Sequence, residues 1–185
     1  RFCVTKDGKH LIVPDRDSAK KEDKEGNPLG LGLPVLRVLD ARTGEWLKNI
    51  PLVDPAAEDR TEGSGSPHNA QAMRQHIYAS MWNDGHVFLI SPDTLEVERL
   101  IGPVELSPDA LLKDETVSEA QRLGTEAVHG SQSIQHFSVS EDERFVYVEP
   151  VKTFGIGVID VESGEFLGHW PMPDPKPGSL RAKRM

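Results

Sequence analysis

The sequence holds a single cysteine, Cys3, among 185 residues. One thiol excludes an intrachain disulfide and any cysteine-based zinc site. A lone cysteine in a strand-like pattern reads as a small buried hydrophobe. Long apolar runs are missing as well. None approaches the roughly 18 residues that a spanning helix requires, so no transmembrane segment is expected. Basic residues are in deficit, with 21 Lys and Arg against 30 Asp and Glu, a formal net charge of −9. Neutralising phosphate takes a basic surface, so a general nucleic-acid binder and a binder of anionic membranes are excluded. The locally basic "SLRAKRM" at 179–185 reads as part of a solvated tail, 174–185. The start lacks an initiator Met and a signal peptide, and it is already strand-like at Arg1. A removed leader or further upstream sequence is therefore expected.

Several chemical signatures are lacking too. No Gly-x-Ser-x-Gly elbow occurs to present a nucleophile. No Asp-x-Asp-x-Asp-Gly run is present to chelate calcium. "GLGLP" at 30–34 lacks the strand-turn-helix context and the spacing of a dinucleotide fingerprint. What remains is the composition of an ordinary globular domain, 37% hydrophobic and 28% charged.

What is present is repetition. "RFCVTKDGKHLIVP" (1–14) lies over "HFSVSEDERFVYVE" (136–149) without a gap, and both alternate apolar and polar residues around a polar turn. "VLDARTGEWLKNIP" (38–51) lies in the same way over "VIDVESGEFLGHWP" (158–171). The spacing between copies shortens from the first half to the second. The first copy therefore carries an insertion, placed in the charged, Gly- and Pro-containing stretch 17–34 and read as a surface loop. A third, diverged copy occupies 68–103. There "HIYASMW" and "HVFLIS" flank Asn83-Asp84-Gly85, a tight-hairpin signal, and Leu95 replaces the glycine of the second turn. The expected strands are 1–5, 10–14, 35–40 and 45–50; 68–73, 76–81, 86–91 and 95–101; and 134–140, 145–149, 155–160 and 165–170. Four antiparallel strands per unit of roughly 40 residues is the pattern of a β-propeller blade.

"FSVSEDERFVYV…GVIDVESGEFLGHWPMP" resembles the YVTN-type propeller repeat, with its Ser-x-Asp turn, VYV strand, V-x-V-I-D-like strand and Ser/Thr-Gly-Glu turn. The resemblance covers most of the chain and departs in the middle copy, where "QAMRQ" stands at the first turn. It implies an all-β chain: a β-propeller of four-stranded antiparallel blades, about three of them here. The blades are 1–51, 68–103 and 134–173, with a partly helical insertion at 104–133 between the last two. It leaves function open, because propellers of this type include lactonases, subunits of quinone-linked dehydrogenases and plain binding scaffolds. The family also implies a periplasmic or extracellular location.

Three blades do not close a ring, since the smallest closed propellers have about four. An open stack leaves two apolar sheet faces wet. Remaining blades, or a protein partner such as another chain, are therefore expected to complete it.

The insertion 104–133 has helical character. Ser107 and Pro108 suit the cap of a first helical turn, and Asp114 suits the cap of a second helix through about Leu123, ended by Gly124; a short helical insertion is expected over 107–124. Loop 52–67, acidic and then Gly/Ser-rich, reads as a connector. Trp46, Phe166 and Trp170 read as packing between blades, and Glu141 and Asp142 as solvated turn residues.

Of the seven histidines, His68 and His136 open the innermost strands of their blades, at positions that look equivalent. Innermost strands line the funnel, so both imidazoles can approach one axis, and His129 can join from a loop. Neutral imidazole suits copper, zinc or iron. These three are the candidate metal ligands; the same residues equally suit polar strand starts that bond neighbouring backbone. His76 and His86 read as sheet-surface residues, His10 as a turn residue, and His169 lies near an outgoing strand end. Ser131 and Ser133 beside His129 and His136 do not distinguish a catalytic dyad from a Ser-rich loop. Three functions follow: a scaffold presenting loops to a partner protein, a metal- or redox-cofactor-linked oxidoreductase subunit with its site in the funnel, or a lactonase-like hydrolase.

Overall fold

A computed structural model describes residues 1–18, 32–56, 65–82, 84–106, 130–131, 134–150 and 155–171. Among them are three four-stranded antiparallel sheets and one two-stranded ribbon. The first sheet runs β1 (Cys3–Val4), β2 (His10–Asp15), β3 (Val35–Asp40) and β4 (Trp46–Pro51) in chain order. The second runs β5 (Ser66–Ala72), β6 (Ile77–Trp82), β7 (Val87–Ile90) and β8 (Val97–Ile101). The ribbon pairs β9 (Glu105–Leu106) with β10 (Gly130–Ser131), and the third sheet runs β11 (Ile134–Val139), β12 (Phe145–Pro150), β13 (Gly155–Asp160) and β14 (Phe166–Pro171). Every strand expected from the repeat is present within a few residues. Ser66 and Pro67, expected in a connector, belong to β5.

The turns explain why the repeat sequence folds alike twice. Thr5 and Ser140 occupy one position. Each hydroxyl donates to the aspartate two residues on, Asp7 at 2.6 Å and Asp142 at 2.6 Å, and accepts from the amide of His10 or Phe145. The aspartate in turn accepts the amide of Lys9 or Arg144. The turn is thus satisfied locally. These bonds hold the Asp7 carboxyl down at about 2, chiefly through Thr5, and lower that of Asp142, chiefly through Ser140. The second turn repeats the device, with Asp40 accepting from Thr43 and Asp160 from Ser163, and glycines 44 and 164 at positive φ. In the middle sheet Leu95 takes that position at φ 55 and buries its side chain between sheets.

The core lies between sheets, not within them. One face of the first sheet (Ile12, Leu36, Val38, Ile50) packs on one face of the second (Ile77, Phe88, Ile90). The other face of the second (Tyr78, Leu89, Ile101) packs on the third (Val146, Val148, Ile159). Each such aliphatic side chain, fully buried, contributes about 1.5–3 kcal/mol. Cys3 packs against the first interface, and its burial pushes the thiol up to about 11.

No helix occurs among the described residues, and the helical expectation over 107–124 is not supported. That stretch lies outside the described residues. The described ends of the insertion are extended and hold each other as the β9–β10 ribbon, so its entry and exit run side by side. Loop residues 19–31 and 57–64 and the tail also lie outside. No described helix is long and apolar enough to cross a membrane.

Candidate functional site

A meander of antiparallel strands sends alternate connections to opposite ends. The tight turns 5–9, 41–45, 73–76, 91–96, 140–144 and 161–165 belong to one end. The connections 16–34, 52–65, 83–86, 102–133 and 151–154 belong to the other, and every long one is among them. The innermost strands begin at this second rim, lying side by side: the Arg1 carbonyl accepts from Ala70 N, and His68 meets His136. Long loops over a rigid scaffold are where binding residues concentrate.

His68 is buried at the start of β5, half-buried His136 opens β11, and their ring centroids lie 5.2 Å apart at 47°. Trp82, the last residue of β6, places its ring 5.5 Å from His68 and stays partly exposed. His136 Nδ1 is buried and meets no hydrogen-bond partner among the described residues. His129, the third candidate, lies outside the described residues, as does Ser133. Among the described residues no three His, Cys, Asp or Glu side chains group as a metal site.

The two histidines are not equivalent by register. In β5 the pairing jumps from Pro67–Met81 to Asn69–Ser80, leaving His68 as the bulged residue. In β11 it jumps from Ile134–Pro150 to His136–Glu149, so Gln135 is the bulged residue and Asn69 is the counterpart of His136. A bulge bends the strand and re-aims its side chain.

On the same rim, Asp84 accepts from the His86 amide and meets His86 Nδ1, both at 2.8 Å. The Asp84 carboxylate raises the His86 pKa above its ordinary 6.5. A raised folded value means that the pair's stabilisation is fully present below 6.5 and is lost as pH rises through the folded value. Asp84→Asn is expected to move the His86 titration midpoint, followed by NMR of its ring protons, down toward the ordinary value; an unmoved midpoint would refute the pairing. Gly85 is not at positive φ, as a tight hairpin would need. The connection is wider, and the Asp84 and Gly85 carbonyls accept from Ile134 N and Val104 N.

His10 is not a turn residue but opens β2, and His76 is not on a sheet surface. At the opposite rim, His76 stands between Glu98 (3.4 Å) and Glu143 (3.7 Å). His169 is buried in β14 opposite Gly157. Glu141 and Asp142 are exposed in their turn, as expected. Trp46 and Trp170 lie exposed on the outer faces of the first and third sheets, while Phe166 packs between sheets.

Two residues escaped the sequence reading: Trp82, and Glu143, a carboxylate only 5% exposed. Glu143 holds φ 57 at the position where the first copy has Gly8 at φ 73. It accepts from the amides of Gln75 (2.7 Å) and His76 (3.2 Å) and from the Tyr78 hydroxyl (3.1 Å) in the neighbouring sheet. Burial of Tyr78, with the Glu143 charge beside it, raises the phenol well above its ordinary range.

No protein-family model matches the sequence, and no curated protein matches it. In structure the chain is similar to Kuenenia stuttgartiensis hydrazine synthase, with a TM-score of 0.55 and 14% identity over 92% of this chain and 36% of that one. It is likewise similar to the β-propeller domain of Cps50 (Swd1) from Myceliophteria thermophila, with a TM-score of 0.55 and 12% identity over 93% of this chain and 43% of that one. The chain spans less than half the length of either. At these identities the likeness shows the fold alone: three blades of a β-propeller.

Proposed function

We propose that this chain is a section of a larger β-propeller of YVTN-like repeats, acting as a binding module that presents the loops of one rim to a partner protein. The carrying observation comes from repeat-equivalent positions. Leu36 is 0% exposed beneath the second blade, while its counterpart Ile156 in the third is 39% exposed. Val139 is 8% exposed against the second blade, while its counterpart Val4 in the first is 47% exposed. On that outer face the register aligns Val4, Leu11, Leu39 and Trp46 into one apolar row across all four strands. Positions built for an inter-blade core stand open at both ends, and further blades or a partner cover them in the assembled protein. A ring completed this way surrounds a funnel, with the long loops at its mouth.

Hydroxyl-radical footprinting tests this reading on Trp46 and Trp170. Both are expected to be several-fold less reactive in the assembly isolated from its source than in the 185-residue chain. Equal reactivity in the two would overturn it.

The juxtaposition of His68 and His136 favours a second reading, a metal- or cofactor-linked oxidoreductase subunit with its centre at the funnel mouth. The likeness to hydrazine synthase, an enzyme, is compatible with it. Cofactor absorbance in the purified assembly would support it over the scaffold reading.

A further inference from the structure

We infer that His68 and His136 form a two-imidazole zinc site at the inner edge between the second and third blades, its remaining coordination positions open to water or to a carboxylate of a partner. The inference shares its residues with the second reading above but not its chemistry, since zinc carries no redox step.

Two imidazoles that share one tetrahedral zinc at Zn–N distances of about 2.0–2.1 Å bring their ring centroids to about 5 Å of each other. The observed separation is 5.2 Å, with the ring planes tilted 47° from each other and not stacked. A square-planar ion with adjacent imidazoles draws the rings closer, so the spacing fits the tetrahedral ion better. The pair is also built. His68 is the bulged residue of β5 and lies off the regular ladder, with its ring beside that of His136. His136 Nδ1 is buried and meets no partner among the described residues, whereas metal coordination would satisfy such a nitrogen. The indole of Trp82 lies 5.5 Å from His68. The net charge of −9 raises the local concentration of cations. His68 and His136 supply two ligands, and a tetrahedral ion needs two more from water or from a partner.

The test is titration of the chelator-stripped 185-residue chain with Zn(II), followed by competition with a chromophoric chelator, and with Co(II) as a spectroscopic substitute. One equivalent is expected to bind. The cobalt form should show the intense visible bands of a four-coordinate ion. Affinity should fall at least tenfold in His68→Ala and in His136→Ala and stay unchanged in His76→Ala at the opposite rim. NMR of the unsubstituted chain guards against a variant that misfolds: zinc should shift the ring protons of His68 and His136 together and leave those of His76 in place. Absence of saturable binding, or binding that survives both alanine variants, would overturn the inference. The propeller reading would stand in either case, because the footprint of Trp46 and Trp170 does not depend on metal.

Discussion

Glu143→Ala is expected to destabilise the chain by about 3 kcal/mol, read as a lower urea midpoint at unchanged slope. The size follows from what the carboxylate does. The first turn of the middle blade, Met73 to His76, lacks both the hydroxyl and the aspartate that bond the equivalent amides in the other blades. Its amides at Gln75 and His76 turn outward and are met by Glu143 of the next blade, together with the Tyr78 hydroxyl. Hydrogen bonds to a charged group are worth roughly 1.5–3 kcal/mol each, and truncation leaves buried donors unpaired. Glu143→Gly offers the control. It loses the same bonds but relieves a non-glycine residue held at φ 57, a strain of about 1–3 kcal/mol. Glycine should therefore be less damaging than alanine. The opposite order would show that φ 57 carries no strain at this position.

Leu36→Ala is expected to cost about 2–5 kcal/mol, whereas Ile156→Ala at the same repeat position should cost less than about 1 kcal/mol in the 185-residue chain. Leu36 fills the interface between the first two blades, and its removal leaves a cavity that rigid sheets cannot collapse. Ile156 faces outward beside Trp170, its register partner, and truncating it leaves no void. Thermal or denaturant unfolding of the two variants measures the contrast. In the completed assembly the asymmetry should vanish, because both positions then lie beneath a neighbour. A persistently mild Ile156→Ala effect in the assembly would mean that nothing packs on the third blade.

The repeat made the architecture legible because turn chemistry and alternation are local. Ser/Thr-x-Asp and Thr/Ser-Gly-Glu each close their own hydrogen bonds, so the strands on either side follow. Misreadings occurred where one blade leans on another. The "QAMRQ" turn looks merely eroded until Glu143 is seen to serve it. The signal was there, in two departures from the pattern, one at each partner. The apparent equivalence of His68 and His136 failed by one residue: both strands carry the same bulge, and the register sets His68 against Gln135 and Asn69 against His136. Trp46 and Trp170 matched the inter-blade pattern, and the pattern says nothing of which blade is last. The helix expected over 107–124 rested on capping residues and spacing alone, which are weak priors, and that stretch lies outside the described residues.

Because the oily layer exists only where two sheets meet, this architecture gains or loses interior in whole steps. Lengthening a loop on the wide rim adds surface but no new interior, whereas duplicating one forty-residue unit adds a complete seam. Ancestry by tandem copying is thus the natural route to growth here. In the middle copy, gripped on both sides, a neighbour's carboxylate meets the amides that the other copies bond within their own turn.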